Sequence, residues 1–166
     1  MLGGPLIVHV DDVREQEVVR IEWENGKTSS IRERFLLQSP RFFSFWNRWE
    51  PGMISLKHGH RGDHVVFVLD GEVMVGDVLC KKGTHIFLMY GDTFGPWIAG
   101  PEGCELLGII AGDRSAYWSD EDMADYQALL ASKGGKPGAV PKLAKGPAWT
   151  QTNTGLPGPT FDPDKK

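Results

Sequence analysis

Residues 51–72 read PGMISLKHGHRGDHVVFVLDGE and place three of the chain's five histidines, His58, His60 and His64, within seven residues. Residues two apart in a strand point to the same face, about 6.6 Å apart along the backbone. His58 and His60 can therefore aim both rings at one point, with Gly59 keeping the opposite face uncrowded. Arg61–Asp63 reads as a turn, and His64 then opens the next strand beside them. Three imidazoles on two adjacent strands would fill one face of a metal's coordination sphere and leave positions open for water or substrate. The same residues also read as polar side chains around a turn, because His-x-His alone is a weak signal. The third histidine, in a chain with two others, strengthens the metal reading. His9, in VHV, has no partners nearby in sequence and reads as structural. His85, on a later strand, is an outlying ligand candidate of ambiguous parity.

Outward from this stretch, residues 5–112 read as many short strands. LIVHV, VVRIEWE, RERFLL, FFSFWNRW, MISLKHGH, VVFVLDG, EVMVGDVLC, THIFLMY and CELLGIIAG are rich in β-branched or large apolar residues and bounded by turn formers. No helices separate them, which favours an all-β sandwich or barrel over a parallel α/β sheet. One helix is expected, over DEDMADYQALLAS, capped by Ser119 with Asp122 three positions on. Met123, Tyr126, Leu129 and Leu130 share one face of it, which suits packing on the barrel. Gly134 and Gly135 stop it. The expected organisation is a barrel over 1–112, a helix within 113–134 and an extended or disordered tail over 135–166, with Trp149 and Leu156 as anchoring points.

Composition excludes several function classes. The chain has 166 residues and a net charge of -4, which gives no basic footprint for nucleic acid. No apolar run approaches the roughly 20 residues that span a bilayer. MLGGPLIVHVDDV lacks the basic flank and long apolar run of a signal peptide. Two cysteines without metal-type spacing favour a reducing cytoplasm.

With its glycines included, the opening stretch resembles the first motif of the cupins, G-x5-H-x-H-x3,4-E-x6-G. Gly52, His58, His60 and Gly71 fall at their places, and His64 stands where the glutamate belongs. GTHIFLMYGDTFGPWIA is similar to the second motif. There Gly83 and Gly91 match, Met89 replaces the proline, Phe94 stands at the histidine ligand and Ile98 replaces the asparagine. The resemblance covers roughly residues 40–112. It implies a single-domain cupin, a double-stranded β-helix or jelly-roll barrel of antiparallel strands, with one C-terminal helix and an extended arm. It also implies a divalent metal at the centre, and small cupins pair through barrel edges, so a homodimer is expected.

Carried over residue by residue, the implied metal ligands are His58, His60 and His64, since Phe94 cannot bind a metal. A cupin that has lost its metal is the competing reading. Three-histidine iron cupins are dioxygenases of β-diketones and thiols, so the resemblance implies an oxygenase on a small organic acid or diketone. Lyases and isomerases that use the metal as a Lewis acid stand beside it, as does a non-enzymatic ligand-binding cupin. Fe(II) is the first expectation for the metal, with Zn, Ni or Mn also compatible with imidazoles. Phe94, Trp97 and Tyr90 are the candidate substrate-binding residues, and Trp46 is a further candidate for the cavity. Tyr90 and Asp92 are candidate acids or bases, or members of a YGD turn. Asp63 either orients a ligand imidazole or closes its turn.

Overall fold

The computed structural model describes residues 6–142. Among these, nine strands follow one another as β1 (Glu15–Trp23), β2 (Thr28–Gln38), β3 (Phe42–Trp49), β4 (Ile54–Ser55), β5 (Gly59–Val75), β6 (Val78–Lys81), β7 (His85–Leu88), β8 (Trp97–Tyr117) and β9 (Gly135–Pro137), with one α-helix, α1 (Asp120–Ser132), between the last two. They form one sheet in the order β6-β5-β8-β3-β2-β1-β9, with β4 on β8 and β7 on β5, and every pairing is antiparallel. Residues from distant parts of that order, Cys80 of β6 and Ile21 of β1, share one buried cluster with Met53, Val68, Trp97 and Leu130. The sheet therefore curls on itself and encloses its own inner face. The all-β expectation with one C-terminal helix holds. No helix among the described residues is long and apolar enough to cross a membrane.

The long strands explain where the sequence reading of turns departs from the structure. Arg61–Asp63 does not reverse the chain, because β5 runs unbroken from Gly59 to Val75. Its partner β8 absorbs the irregularity: His60 pairs with Ala116 and Gly62 with Gly112, so β8 bulges across Asp113–Ser115. At Gly62 a Cβ would collide with the Ala111 carbonyl oxygen, so this close approach requires glycine. Asp63 is committed elsewhere, its Oδ1 accepting the Tyr90 amide at 2.9 Å. VVFVLDG and EVMVG are likewise one strand, passing through Gly71 at φ +67°.

At the N-terminus the expected LIVHV strand is absent. Leu6–His9 is irregular, and Val10–Asp12 forms a single 3-10 turn whose N-cap, His9, accepts the Asp11 amide at 3.2 Å through Nδ1. The segment is tied to the sheet by a side chain instead, Arg34 donating to the Val10 carbonyl at 2.9 Å. The structural role expected of His9 stands.

The helix forms as its sequence requires. Ser119 accepts the Asp122 amide at 3.0 Å, and the Asp122 carboxylate accepts the Ser119 amide at 3.0 Å. The carboxylate also accepts the Ser119 hydroxyl at 2.8 Å, and its bonds from the Ser119 amide and hydroxyl, with Lys57 3.0 Å away, hold the Asp122 carboxyl down at about 2. Tyr126 and Leu130 are buried, and Met123 and Leu129 pack against the same core. Past Gly134, at φ +71°, the chain does not leave the barrel at once. Gly135–Pro137 pairs with Trp23, Glu22 and Ile21 as β9, covering an edge of the sheet that would otherwise be open. The rest of the expected tail, from residue 143, and its anchoring points Trp149 and Leu156 lie outside the described residues.

Ser119→Ala removes the cap while leaving the apolar face intact, and is expected to cost about 1 kcal/mol. Leu130→Ala, at a fully buried site, is expected to cost about 2–5 kcal/mol. Urea unfolding of the two variants should give losses in that order, and equal losses would show that the helix contributes little through its packing.

A candidate metal centre in the barrel

His60 and His64 lie on β5 four residues apart and so point to the same, inner face. His58 precedes the strand and is held by a bridge to Phe94. Its amide donates to the Phe94 carbonyl at 3.1 Å and the Phe94 amide donates back at 3.0 Å. Gly59, between the two ligand candidates, is wedged against the Tyr117 ring and the Asp92 carbonyl, where no side chain fits. The His58 and His60 ring centroids are 5.1 Å apart and those of His60 and His64 are 4.9 Å apart. Each pair is nearly perpendicular, at 81° and 89°.

The ring nitrogens are sorted by their partners. His58 Nδ1 is 2.7 Å from the Leu56 carbonyl, and His60 Nδ1 is 2.9 Å from the Arg114 carbonyl. A carbonyl only accepts, so both Nδ1 atoms carry the proton and both Nε2 atoms keep a lone pair for an ion. His64 is 7% exposed, and neither of its ring nitrogens has a partner. A buried imidazole with two orphaned nitrogens costs stability unless a ligand completes it.

These features fit a metal. Imidazoles that bind one ion through nitrogen at about 2.1 Å, at roughly 90–100° to one another, hold neighbouring centroids about 5 Å apart. Among the described residues no group of three or more His, Cys, Asp or Glu is placed as a set that could hold a metal ion. The three rings are neighbours at the spacing of a ligand set, and their nitrogens do not meet at one point as placed. Burial pushes all three imidazoles below their ordinary value of 6.5, and His64, with His60 and His58 adding to the effect, falls to about 3. Neutral imidazole is the form that binds a metal.

The rings open onto a cavity of about 270 Å³, whose walls include Phe43, Phe45, Trp49, Trp97, Ile110, Glu33 and Asn47. Of the three substrate-binding candidates, Trp97 lines it. Phe94, 39% exposed, and Tyr90, 68% exposed, are not among its lining residues. Phe94 is held at the bridge to His58, and Tyr90 sits on the turn beside Asp63. Trp46 lies on the face of β3 opposite to Phe45 and Asn47, and Trp49 takes the place expected of it. His85 is exposed, opposite Phe67 in the ladder of β5 and β7. Asp92 accepts the Met89 amide at 3.0 Å, the turn role open to it in the sequence.

Glu33 is the residue that the sequence reading missed. It lines the cavity, and its carboxyl is packed round by protein with no ion-pair partner among the described residues. The residue as a whole is half-buried, and burial of the carboxyl pushes it up to about 8. The signal was present in SIRERFLL. Strand alternation puts Ile31, Glu33 and Phe35 on one face and Arg32 and Arg34 on the other, so a glutamate stands on the apolar side. On the outer face Arg32, Arg34 and Arg48 all reach Glu15, at 3.8, 3.6 and 3.0 Å. None of that charge serves Glu33.

No family sequence model and no curated protein sequence matches this chain. Solved structures do match its fold. It is similar to the polyketide cyclase RemF from Streptomyces resistomycificus, at 21% identity over 70% of this chain and 88% of that one, with a TM-score of 0.54. A sugar phosphate isomerase from a cupin superfamily, from Silicibacter pomeroyi, matches at 22% identity over 69% and 82%, with a TM-score of 0.52. An RmlC-like cupin from Shewanella frigidimarina matches at 17% identity over 69% and 97%, with a TM-score of 0.52. At such identities the likeness is one of fold.

Two opposed pH effects follow for the metal-free protein. His64 has a folded value of about 3 against an ordinary 6.5, so the unfolded chain binds more protons between those limits. Stability should fall as pH drops from 6.5 towards 3. Glu33 has a folded value of about 8 against 4.5, so the folded chain holds more protons and stability should fall as pH rises through that window. Tm measured across pH should lose its acid limb in part in His64→Phe and its alkaline limb in part in Glu33→Gln. Unchanged limbs would mean that these groups are solvated in the folded protein.

Proposed function

We propose that this chain, whose barrel is a cupin fold, is a metal-dependent enzyme acting on a small molecule, with His58, His60 and His64 holding a divalent transition metal. Fe(II) is the first choice, and Zn, Ni or Mn suit the same ligands. The observation that carries the reading is the clustering of three neutral imidazoles on one cavity, two with Nδ1 tied to backbone carbonyls and the third with no hydrogen-bond partner on either ring nitrogen. When bound, the ion supplies Lewis acidity and, as Fe(II), redox chemistry with dioxygen.

The protein's own residues supply the rest. Three neutral ligands leave the ion's charge uncompensated, which favours a chelating small organic acid or diketone as substrate. Phe43, Phe45 and Ile110 make the cavity walls beside the rings apolar, and Trp97 adds a flat apolar face. Glu33 holds a proton near neutral pH, which it can donate to a substrate atom within reach and recover afterwards. The dioxygenase reading follows from the three-histidine set. Glu33 favours a second reading, a lyase or isomerase in which the chemistry is proton transfer. Cys80 and Cys104 are both free and buried, in keeping with a cytoplasmic setting. Pairing of two copies through the barrel edges belongs to the same proposal.

Elemental analysis of untagged protein should find close to one equivalent of a transition metal. His64→Ala should lower that content as much as His58→Ala does. Less than about a tenth of an equivalent after reconstitution would reject the metal centre and leave a ligand-binding cupin. Oxygen uptake with a panel of β-diketones, thiols and catechols separates the two enzymatic readings: uptake supports the oxygenase, and turnover without uptake supports the lyase or isomerase.

A further inference from the structure

Glu33 and Asn47 stand directly opposite each other in the ladder of β2 and β3, so their side chains share the inner face. Trp49, two residues beyond Asn47, lies on that face too. All three line the cavity. Asn47 Oδ1 and Trp49 Nε1 are buried and have no hydrogen-bond partner in the protein. Buried polar groups are paired in roughly nine cases in ten, so two orphans beside an unpaired carboxyl indicate a missing partner. That partner does not come from the fold. Arg114, the one Arg or Lys among the described residues that lines the cavity, donates to Gln38 at 2.7 Å and lies 4.6 Å from the Phe43 ring centroid.

We infer that Glu33, Asn47 and the Trp49 indole N–H form the ligand-recognition wall of the cavity, and that this wall takes a hydroxyl group carried on a small uncharged ring or enol. The wall offers one acceptor, Asn47 Oδ1, and one donor, Trp49 N–H. A single hydroxyl satisfies both, donating to the first and accepting from the second. Glu33, protonated by its burial, serves a neighbouring oxygen on the ligand. A carboxylate or phosphate has no proton for Asn47 and finds no cation beside Glu33 to balance its charge. A hydrocarbon leaves both orphans unpaired. Phe43, Phe45 and Trp97 require the hydroxyl's carrier to be apolar. The 270 Å³ of space equals about nine waters at ~30 Å³ each, room for a single ring. Gln16, opposite Glu33 in the ladder of β1 and β2, is buried with its amide unpartnered and is not among the residues that line the cavity.

The inference rests on the cavity being the substrate site of the proposed enzyme and narrows its substrate class to phenols and the enols of diketones. It does not depend on the metal. The full chain as purified is titrated with resorcinol, toluene and benzoate by tryptophan fluorescence, and again after dialysis against a chelator. Resorcinol should bind at least tenfold more tightly than toluene before and after chelation, and at least tenfold more tightly than benzoate after chelation, when no ion is present to attract the carboxylate. Asn47→Leu should weaken resorcinol at least fivefold and leave toluene within twofold. It should also raise Tm, because a buried orphan is gone. Trp49→Phe, which removes the N–H and keeps an aromatic ring, should weaken resorcinol in the same way. Equal binding of resorcinol and toluene, tighter binding of benzoate than of resorcinol after chelation, or a preference for resorcinol over toluene that vanishes on chelation would overturn the proposal. So would a lower Tm in both variants with resorcinol affinity unchanged, which is the behaviour of a structural polar row. Because one arm is metal-free, failure of the metal centre leaves this result readable.

Discussion

The pairing of β5 with β8, from Gly59 opposite Tyr117 to Val75 opposite Trp97, is the constraint on which the rest of the structure depends. It joins the two longest strands and passes through three irregularities. The first of these bulges lets β5 continue straight through residues whose composition suggests a turn. As a result His60 and His64 share one strand face instead of sitting on two strands. The same bulge brings the Arg114 carbonyl to His60 Nδ1 and the Arg114 side chain to the cavity. Without that ladder the three rings would have no common direction, and the cavity would lose an apolar wall beside them.

A second constraint follows from strand alternation. β2 and β3 separate their charges by face: arginines meet Glu15 outside, and a carboxyl and an amide remain inside among aromatic rings. Desolvation then sets the protonation state on the inner face. Imidazoles lose affinity for protons there and the Glu33 carboxyl gains it, so near neutral pH the interior holds neutral bases beside a neutral acid. This is the electrostatic condition for metal ligation and proton transfer in one cavity. The orphaned atoms of His64, Asn47 and Trp49, unlike those of Gln16 and Arg32, belong to residues that line the cavity. They mark where a ligand and an ion would stabilise the protein.

Much of this was legible in the sequence, and the exceptions have physical causes. The helix was readable down to its capping box, because capping is local. The glycine frame and the histidine spacing identified the barrel, because both are properties of short segments. The path through Arg61–Asp63 was not readable, since the tolerance for it lies in a bulge fifty residues away on β8. The exposure of Phe94 and Tyr90 was not readable either, because strand parity breaks down in the irregular segment between β7 and β8. Glu33 was overlooked because RER looks like a solvated strand. Its alternation with Ile31 and Phe35, which places it inside, carries weight only once the sheet is known to curl over that face.

The most direct test of the central claim is the X-ray absorption spectrum of the purified protein at its metal edge. Three imidazole nitrogens are expected at about 2.1 Å, with the outer-shell scattering typical of histidine rings and a loss of one such ligand in His64→Ala. A first shell made of oxygen or sulfur, or one unchanged when His64 is removed, would contradict it.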